Sequence, residues 1–399
     1  MTTDMLPATE VAPARARRVV PLIVSVLAVC WMVLAVIGSV GVLVPSVPLI
    51  GLAGLYVNGF AAQLFLFGLV GAGAAVAVHR LGRRRTALVT GVVAGLTLIG
   101  ATVPTVALMM TAHRLGAPVS LPRALVPVRN VGTADPTRTV GYATVDGEDL
   151  NLDVWLPKRG GGQPSPAVVF VHGGGFVKGS RSETPQWDHW LNDAGYAVFD
   201  VSYRLAPPAR WDEAAADVTC ALAWLQANAA RYGIDPGRVA LGGRSAGGNL
   251  ALSAAYAASG LSSCGGTPVP VRAVFAMFPP VDLAAWWQSD RVLHGSRRDP
   301  ELYTGGTPST YPDRYAAASP VRQVRPGLPP TLLLAGASDQ FVPAAQSRQL
   351  HRQLDQAGVP NQFVELPFAD HDYDLSWNSL ATQVTQHVLA DFLQRNLPR

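Results

Sequence analysis

Charged residues are scarce in this sequence, and they are missing altogether from two long stretches near its beginning. Only 15% of the 399 residues are Asp, Glu, Lys or Arg, and residues 19–78 and 86–112 contain none of them. A water-exposed surface normally carries many charges, so these stretches exclude an ordinary soluble domain for the N-terminal third. The rest of the chain has the composition of a globular protein.

A basic patch on the globular part is also missing. Residues 1–114 carry eight arginines against Asp4 and Glu10, a net charge of +6, whereas the remainder has 23 basic and 25 acidic residues. The positive balance of the whole chain therefore belongs to the apolar N-terminal part. Nucleic-acid binding requires a basic face on the binding domain, so this distribution argues against it.

Cysteine is too rare for a disulfide-built scaffold, because the chain has only three. Cys30 lies in an apolar stretch, and Cys220 and Cys264 lie in the globular part. The last two form either a disulfide, if the domain lies outside the cytoplasm, or two buried thiols. The sequence leaves both open, because it does not give the distance between their Cα atoms.

Three uncharged stretches are long enough to cross a membrane: residues 19–44, 60–78 and 86–112. A bilayer core requires about 20 apolar residues in a helix. The alternative for the first stretch is a cleaved signal peptide, but its apolar run exceeds the roughly 7–15 residues of that signal. We therefore expect a multi-pass transmembrane region over residues 19–112.

Arginines indicate how this region is oriented, because cytoplasmic flanks of membrane helices collect basic residues. They precede the first span and separate the second from the third: Arg15, Arg17, Arg18, Arg80, Arg83, Arg84 and Arg85. The connection between the first two spans, residues 41–59, is uncharged. We expect a cytoplasmic tail over residues 1–18, a location in the cell membrane, and the globular part outside the cytoplasm.

The globular part follows a proline-rich linker predicted over residues 113–138. Short apolar stretches typical of strands occur at residues 139–145, 150–156, 167–171, 197–201, 239–241, 271–277, 331–335 and 362–366. Helical spacing follows several of them, at residues 212–230, 246–259, 344–357 and 383–394. Alternating strands and helices predict an α/β fold with a mostly parallel sheet covered by helices on both faces. The first two strands form a hairpin around a turn at residues 146–149.

A nucleophile motif stands between a predicted strand and a predicted helix, in Gly243-Arg244-Ser245-Ala246-Gly247. In a nucleophile elbow, the glycines permit a sharp strained turn that exposes the serine hydroxyl. A second glycine motif, His172-Gly173-Gly174-Gly175, ends the strand at residues 167–171. Backbone amides in such a turn stabilise the negative charge that develops on a carbonyl oxygen during acyl transfer.

The acid and the base of a catalytic triad are predicted downstream of Ser245. Asp339 lies just past the strand at residues 331–335, and His371 follows the strand at residues 362–366. The order Ser, Asp, His is the order in α/β-hydrolases. Separately, each residue is more typical of a turn or a surface loop. Together with the two glycine motifs, they predict a Ser245–Asp339–His371 triad.

Residues 139–399 resemble the α/β-hydrolase superfamily, and within it the hormone-sensitive-lipase-like bacterial esterases. The resemblance rests on the two glycine motifs and on Tyr203-Arg204-Leu205-Ala206-Pro207. It implies an oxyanion hole formed by Gly174, Gly175 and the N–H of Ala246, with His172 in a structural role. The sequence departs from that family at Arg244, where an aspartate is usual, and in its N-terminal membrane region. The feruloyl- and acetyl-esterase-like group is the alternative family.

These observations predict a serine carboxylesterase or lipase-like hydrolase that acts on small-molecule or lipid esters through an acyl-enzyme. An acyltransferase with the same triad and a catalytically silent interaction module are the alternatives. Neither a cofactor nor a metal is implied. Asp370, Asp372 and Asp374 are interpreted as solvated loop carboxylates rather than metal ligands. The sequence does not define the acyl length, the alcohol or the oligomeric state.

Arg244 and the segment at residues 282–330 each allow two interpretations. Arg244 either pairs with a carboxylate beneath the elbow, which we favour, or contacts an acidic group of the substrate. Residues 282–330 form a long insertion between two core strands, in which Trp286, Trp287 and Tyr303 either line a lid or acyl pocket or simply pack the insertion.

Overall fold

The computed structural model describes residues 14–43, 61–131, 135–157, 163–257, 261–290 and 295–398. The chain divides into two compact units, one up to Thr105 and the other from Val106 to the C-terminus. Most of the predicted cytoplasmic tail and of the uncharged connection at residues 41–59 lies outside the described residues.

The first unit contains the helices α1 (Ala14–Leu43) and α2 (Ala61–Arg80) and most of α3 (Arg84–Arg114), whose last turns, from Val106, belong to the second unit. All three are long and apolar enough to cross a membrane. α1 packs against α2 where the indole of Trp31 lies 5.4 Å from the ring of Phe67. Gly71 permits this contact, because a Cβ at that position would approach the indole within 1.9 Å. Small residues commonly allow such close approach between membrane helices.

The second unit is organised around an eight-stranded sheet with the order β1-β2-β4-β3-β5-β6-β7-β8. The pairs β1–β2 and β2–β4 are antiparallel, and the remaining pairs are parallel. The strands are β1 (Arg138–Val145), β2 (Glu148–Trp155), β3 (Ser165–Val171), β4 (Ala197–Val201), β5 (Ile234–Arg244), β6 (Val271–Met277), β7 (Thr331–Gly336) and β8 (Asn361–Leu366). The predicted α/β-hydrolase architecture, a mostly parallel sheet preceded by three apolar helices, is confirmed.

Helices cover the sheet and connect its strands. They are α4 (Leu121–Ala124), α5 (Pro185–Asp193), α6 (Ala214–Tyr232), α7 (Ala246–Tyr256), α8 (Leu283–Gln288), α9 (Gly295–Thr304), α10 (Pro312–Ala317), α11 (Ala345–Gln356) and α12 (Leu380–Asn396). The central strands β3 to β7 are almost entirely buried. A sheet covered on both faces requires such continuous apolar strands, which is why the apolar stretches in the sequence predicted them.

The leading hairpin turns more tightly than predicted. Val145 pairs directly with Glu148, so the turn has two residues rather than four. Asp146 and Gly147 both adopt positive φ angles, 52° and 82°. This is the backbone of a two-residue hairpin turn whose twist matches that of the strands.

The second unit contains a disulfide between Cys220 on α6 and Cys264. Their Cα atoms lie 5.6 Å apart, within the range that a disulfide requires. The structure therefore favours the bonded alternative over two buried thiols. The bond ties the segment after α7 to helix α6.

Candidate active site

Ser245 occupies the sharp turn between β5 and α7. Its backbone has φ 51° and ψ −120°, a conformation that residues with a Cβ rarely adopt. Gly243 and Gly247 make the turn possible, because a Cβ on either would meet backbone atoms at 2.5 and 2.1 Å respectively. The strand–turn–helix context predicted from the motif is therefore present, and the turn is held by close backbone contacts.

His371 connects the serine to Asp339. Its Nε2 lies 3.0 Å from the Ser245 Oγ, and its Nδ1 lies 2.8 Å from the Asp339 Oδ2. All three side chains are buried. Residues separated by 126 positions along the chain are thus brought into hydrogen-bonding contact, in the arrangement required of a nucleophile, a base and an orienting carboxylate.

Backbone amides hold the two loops that carry Asp339 and His371. The Asp339 Oδ1 accepts hydrogen bonds from the N–H groups of Phe341 and Val342, at 2.9 and 2.7 Å. The Asp370 Oδ1 accepts from the N–H groups of Gln340 and His371, also at 2.9 and 2.7 Å. The interpretation of Asp370 as a solvated carboxylate was wrong, because its side chain joins these two loops from a buried position.

The surrounding carboxylates determine the protonation of the imidazole. Burial disfavours the imidazolium, but the negative charges of Asp339, Asp372 and Asp370 outweigh it and raise the pKa of His371 to about 9. Burial, together with the charge of Asp339, raises the pKa of Asp370 to about 7. The base of the candidate site is therefore protonated at neutral pH in the resting protein and becomes neutral as pH rises.

The glycine motif after β3 lies against the elbow. A Cβ on Gly173 would lie 3.4 Å from the Cβ of Ser245. Gly174 and Gly175 have positive φ angles of 108° and 64°, which a glycine adopts without strain. Ala246, the third predicted donor, is the first residue of α7 and is fully buried. Gly173 thus contacts the elbow, Ala246 directly follows Ser245 in the chain, and Gly174 and Gly175 follow in the same glycine motif.

His172 stands behind this motif rather than in the reactive chain. Its ring stacks on Tyr203 with centroids 4.4 Å apart, and its Nδ1 lies 2.8 Å from the carbonyl oxygen of Gly173. Burial lowers the pKa of His172 to about 4, so the imidazole is neutral. These contacts agree with the structural role that the family resemblance implied.

Arg244 forms a buried ion pair beneath the elbow. Its Nε lies 2.6 Å from the Asp374 Oδ2, and its Nη2 lies 2.9 Å from the Asp372 Oδ1. The indole N–H of Trp187 also donates to Asp374, at 2.7 Å. The favoured interpretation of Arg244 is confirmed, but Asp374 is fully buried and not solvated as predicted. Asp374 could not be predicted as the partner of Arg244, because it lies 130 positions away in the sequence.

Helix α9, in the insertion, packs over the glycine motif. Tyr303 stacks on Phe176 at 3.9 Å, and a Cβ on Gly175 would meet the Asp299 carboxylate within 2.1 Å. Asp299 is buried, and this burial raises its pKa to about 6. Asp299 was not predicted from the sequence, because the insertion has no regular pattern. Trp286 and Tyr303 are buried, whereas Trp287 is only partly buried.

Within the described ranges, no group of three or more His, Cys, Asp or Glu side chains is arranged to hold a metal ion. The side chains around Ser245 are instead arranged for proton transfer. Here a hydroxyl, an imidazole and a carboxylate form a hydrogen-bonded chain beside glycine amides. Such an arrangement can carry out nucleophilic attack on a carbonyl group.

Comparison with known proteins identifies the family of the second unit, which we call the hydrolase unit. The BD-FAE family model matches residues 152–354. Esterase LipC of Mycobacterium tuberculosis is 31% identical over 257 residues, 61% of this chain and 62% of LipC. An acetyl-hydrolase of Streptomyces hygroscopicus is 32% identical over 244 residues, 58% of this chain and 73% of that protein. This chain therefore spans less than two thirds of the length of LipC.

A solved structure agrees with these relatives. Thermogutta terrifontis esterase 2 phosphonylated by sarin has a TM-score of 0.57 and 25% identity, over 66% of this chain and 96% of that one. The resemblance to esterases seen in the glycine motifs is confirmed. Since the BD-FAE match covers half of the sequence and includes both the elbow and Asp339, the chain belongs to the BD-FAE family of α/β-hydrolases.

Proposed function

We propose that this protein is a membrane-anchored carboxylic ester hydrolase in which Ser245 is the nucleophile, His371 the general base and Asp339 the orienting acid. One observation carries the proposal. The Ser245 hydroxyl, the His371 imidazole and the Asp339 carboxylate form a continuous hydrogen-bonded chain with separations of 3.0 and 2.8 Å. Esterases among the relatives and the structural neighbours support the same reaction class.

The reaction proceeds in two steps. His371 takes the hydroxyl proton while the Ser245 Oγ forms a bond to the ester carbonyl carbon, and the resulting oxyanion accepts hydrogen bonds from the N–H groups of Gly174, Gly175 and Ala246. The imidazolium then gives its proton to the departing alcohol, which leaves an acyl-serine. Water then attacks the acyl carbon while His371 takes its proton, and the imidazolium returns that proton to the Ser245 Oγ as the bond between the Oγ and the acyl carbon breaks and the carboxylic acid departs.

The protonation of His371 makes the reaction dependent on pH. Only the neutral imidazole accepts the serine proton, and the neighbouring carboxylates raise the pKa of His371 to about 9. We therefore expect kcat/KM of the free enzyme to increase with pH up to about 9, rather than to level off near the ordinary histidine pKa of about 6.5.

The test uses the full-length chain in detergent or nanodiscs with 4-nitrophenyl esters of increasing acyl length. Ser245→Ala removes the nucleophile, and we expect a loss of about 10⁴-fold or more. Ser253→Ala is the matched control, because it removes the same hydroxyl from a buried position two turns along α7. Its activity is expected to equal that of the wild type.

A fluorophosphonate probe separates the alternatives, since it labels an activated serine covalently. Labelling of the wild type but not of Ser245→Ala supports the proposal, and esterase 2, a structural neighbour, is itself phosphonylated by sarin. Absence of both turnover and labelling would instead favour a silent interaction module. Formation of a new ester when alcohols are added, at the expense of free acid, would favour acyl transfer.

The anchor is proposed to be α1, α2 and α3, with the hydrolase domain, predicted from residue 139 onward, outside the cytoplasm. The arginines between α2 and α3 support a cytoplasmic position for that connection. The Cys220–Cys264 disulfide also suits an oxidising compartment. Protease added to intact spheroplasts should release the hydrolase domain. Resistance until the membrane is opened would place the domain in the cytoplasm.

A further inference from the structure

Beyond the end of α3 at Arg114, the exposed large hydrophobic side chains of the described residues are confined to one short segment. Among the described residues after Arg114, they occur at only five positions, Leu121, Leu125, Val126, Val128 and Val131, with exposed fractions between 36% and 56%. We call residues 121–131 the linker ridge. A concentrated apolar patch on an otherwise polar domain is typical of an interaction surface.

Backbone groups of the ridge, together with the Arg123 guanidinium, form hydrogen bonds to the hydrolase unit. The N–H of Asn130 donates to the carbonyl oxygen of Leu375 at 2.8 Å, and the N–H of Trp377 donates to that of Val128 at 2.9 Å. The Asn378 side-chain amide donates to the carbonyl oxygen of Val126 at 3.0 Å. A segment that packs on a domain normally turns its apolar side chains inward. Here backbone groups and the Arg123 guanidinium make the attachment, and the large apolar side chains remain exposed to solvent.

The charge of this segment has one sign. No acidic residue occurs between Glu10 and Asp135, so the ridge and everything before it back to residue 11 are free of carboxylates. Arg123 and Arg129 are exposed among the apolar side chains. Apolar residues interspersed with arginines match the interface of a bilayer with anionic lipids, in which acyl chains meet negatively charged headgroups.

The distance along the chain also favours a membrane. Helix α3 ends at Arg114, only seven residues before Leu121, and the final turns of α3 belong to the same compact unit as the ridge. Seven extended residues span at most about 25 Å. A ridge so close to the end of a membrane-crossing helix cannot move far from the bilayer surface.

We propose that the linker ridge binds the membrane surface, with Leu125, Val126 and Val128 in the interface and Arg129 against anionic lipid headgroups. The proposal rests on the membrane anchoring by α3 proposed above and not on the esterase reaction. It adds a second membrane contact, made by the hydrolase unit itself. That contact is joined to residues 375–378, which follow the His371 loop.

Spin labels on the full-length chain test this proposal. The chain carries Cys30→Ser and a nitroxide at Val126→Cys, and it is reconstituted in nanodiscs of phosphatidylcholine with phosphatidylglycerol. Power saturation with oxygen, which partitions into lipid, and with a water-soluble nickel chelate reports the depth of the label. We expect the label at position 126 to be relaxed more by oxygen than by nickel.

Two further labels make the outcomes distinguishable. Gln356→Cys, exposed at the end of α11, is expected to show the nickel access of an aqueous site. Leu96→Cys, exposed on α3, reports whether that helix lies in lipid. A lipid signature at 96 with a water signature at 126 would overturn the ridge proposal alone, and a water signature at 96 would overturn the anchoring. Protection of position 126 from both reagents would indicate a protein partner or a second copy instead.

Discussion

Two groups of buried aspartates in the hydrolase unit differ in what surrounds them. The first group, Asp339, Asp370 and Asp374, follows strands β7 and β8. The second, Asp153, Asp188 and Asp200, lies on β2, α5 and β4. The side chains are chemically identical and all six are buried. The difference between the groups therefore comes from their partners.

The first group is supplied with positive charge and N–H donors. Asp339 faces the imidazole of His371, and Asp374 faces the guanidinium of Arg244. Asp370 and Asp339 each accept two backbone N–H bonds. Such partners offset part of the cost of removing a carboxylate from water.

The second group has fewer donors. Arg181 and the Ser182 hydroxyl bind Asp153, and the Ser182 N–H binds Asp200. Asp188 receives no cation or N–H donor from the described residues. Burial, followed by the charges of Asp200 and Asp153, raises the pKa of Asp188 well above its ordinary value. The aspartates that follow β7 and β8 therefore have more cationic and N–H partners than those on β2, α5 and β4.

The largest test of the comparison removes the charge that faces the imidazole. Asp339→Asn keeps the size of the side chain but no longer favours the required tautomer and imidazolium of His371. We expect kcat/KM to decrease by about 10⁴-fold with little change in Tm. Steady-state kinetics and thermal unfolding of the same preparation measure both. A loss below tenfold would mean that Asp339 is not the orienting acid.

The next test leaves a carboxylate of the first group without its cation. Arg244→Met deprives the fully buried Asp374 of its ion pair, and we expect a loss of about 3–5 kcal/mol in unfolding free energy. The double variant Arg244→Met/Asp374→Leu removes both charges and should recover much of that loss. Urea unfolding of the three proteins compares them. Equal stability of the single and double variants would contradict the pairing.

The corresponding change in the second group should have the opposite sign. The raised pKa of Asp188 means that the folded protein holds a proton that the unfolded chain releases above its ordinary pKa of about 3.8. Stability is therefore lost as pH rises through the folded pKa. Asp188→Asn removes this loss, and we expect Tm at pH 8 to increase by roughly 2–4 °C, equivalent to about 1 kcal/mol. At pH 4 the variant and the wild type should unfold together.

The smallest effect is expected at Asp370, which lies beside the reactive chain without being part of it. Asp370→Asn retains an oxygen for the N–H groups of Gln340 and His371 but removes a negative charge that raises the pKa of His371. The acid limb of the kcat/KM profile should move to lower pH by less than about one unit. An unchanged profile would show that Asp370 has no electrostatic role.

The sequence was most informative where local rules determine structure. Eight apolar stretches predicted eight strands, because a sheet buried on both faces needs continuous apolar residues. The elbow and the glycine motif were readable because close backbone contacts admit only glycine at Gly243 and Gly247. The positions of Asp339 and His371 followed from the strand ends, since parallel strands gather their following loops at one edge. Their catalytic roles stay predictions.

The features that were missed depend on distant parts of the chain. Asp374 looked like a solvated loop residue because neither Arg244 nor Trp187 is near it in sequence. Helices α8, α9 and α10 were not predicted, since their short segments lack a clear helical period, and with them Asp299 was missed. The short helix α5 was missed for the same reason. The hairpin turn was predicted too long, although Asp146-Gly147 is a typical pair for a two-residue turn with two positive φ angles.

The left-handed backbone of Ser245 has a consequence for how this fold can change over generations. Any side chain at that position stores about 1–3 kcal/mol of conformational strain, and glycine alone would release it. Selection for stability alone would therefore favour Ser245→Gly, a variant that keeps the fold but lacks the nucleophile. If the proposed reaction is correct, selection for activity retains the serine hydroxyl at a turn where glycine would be less strained.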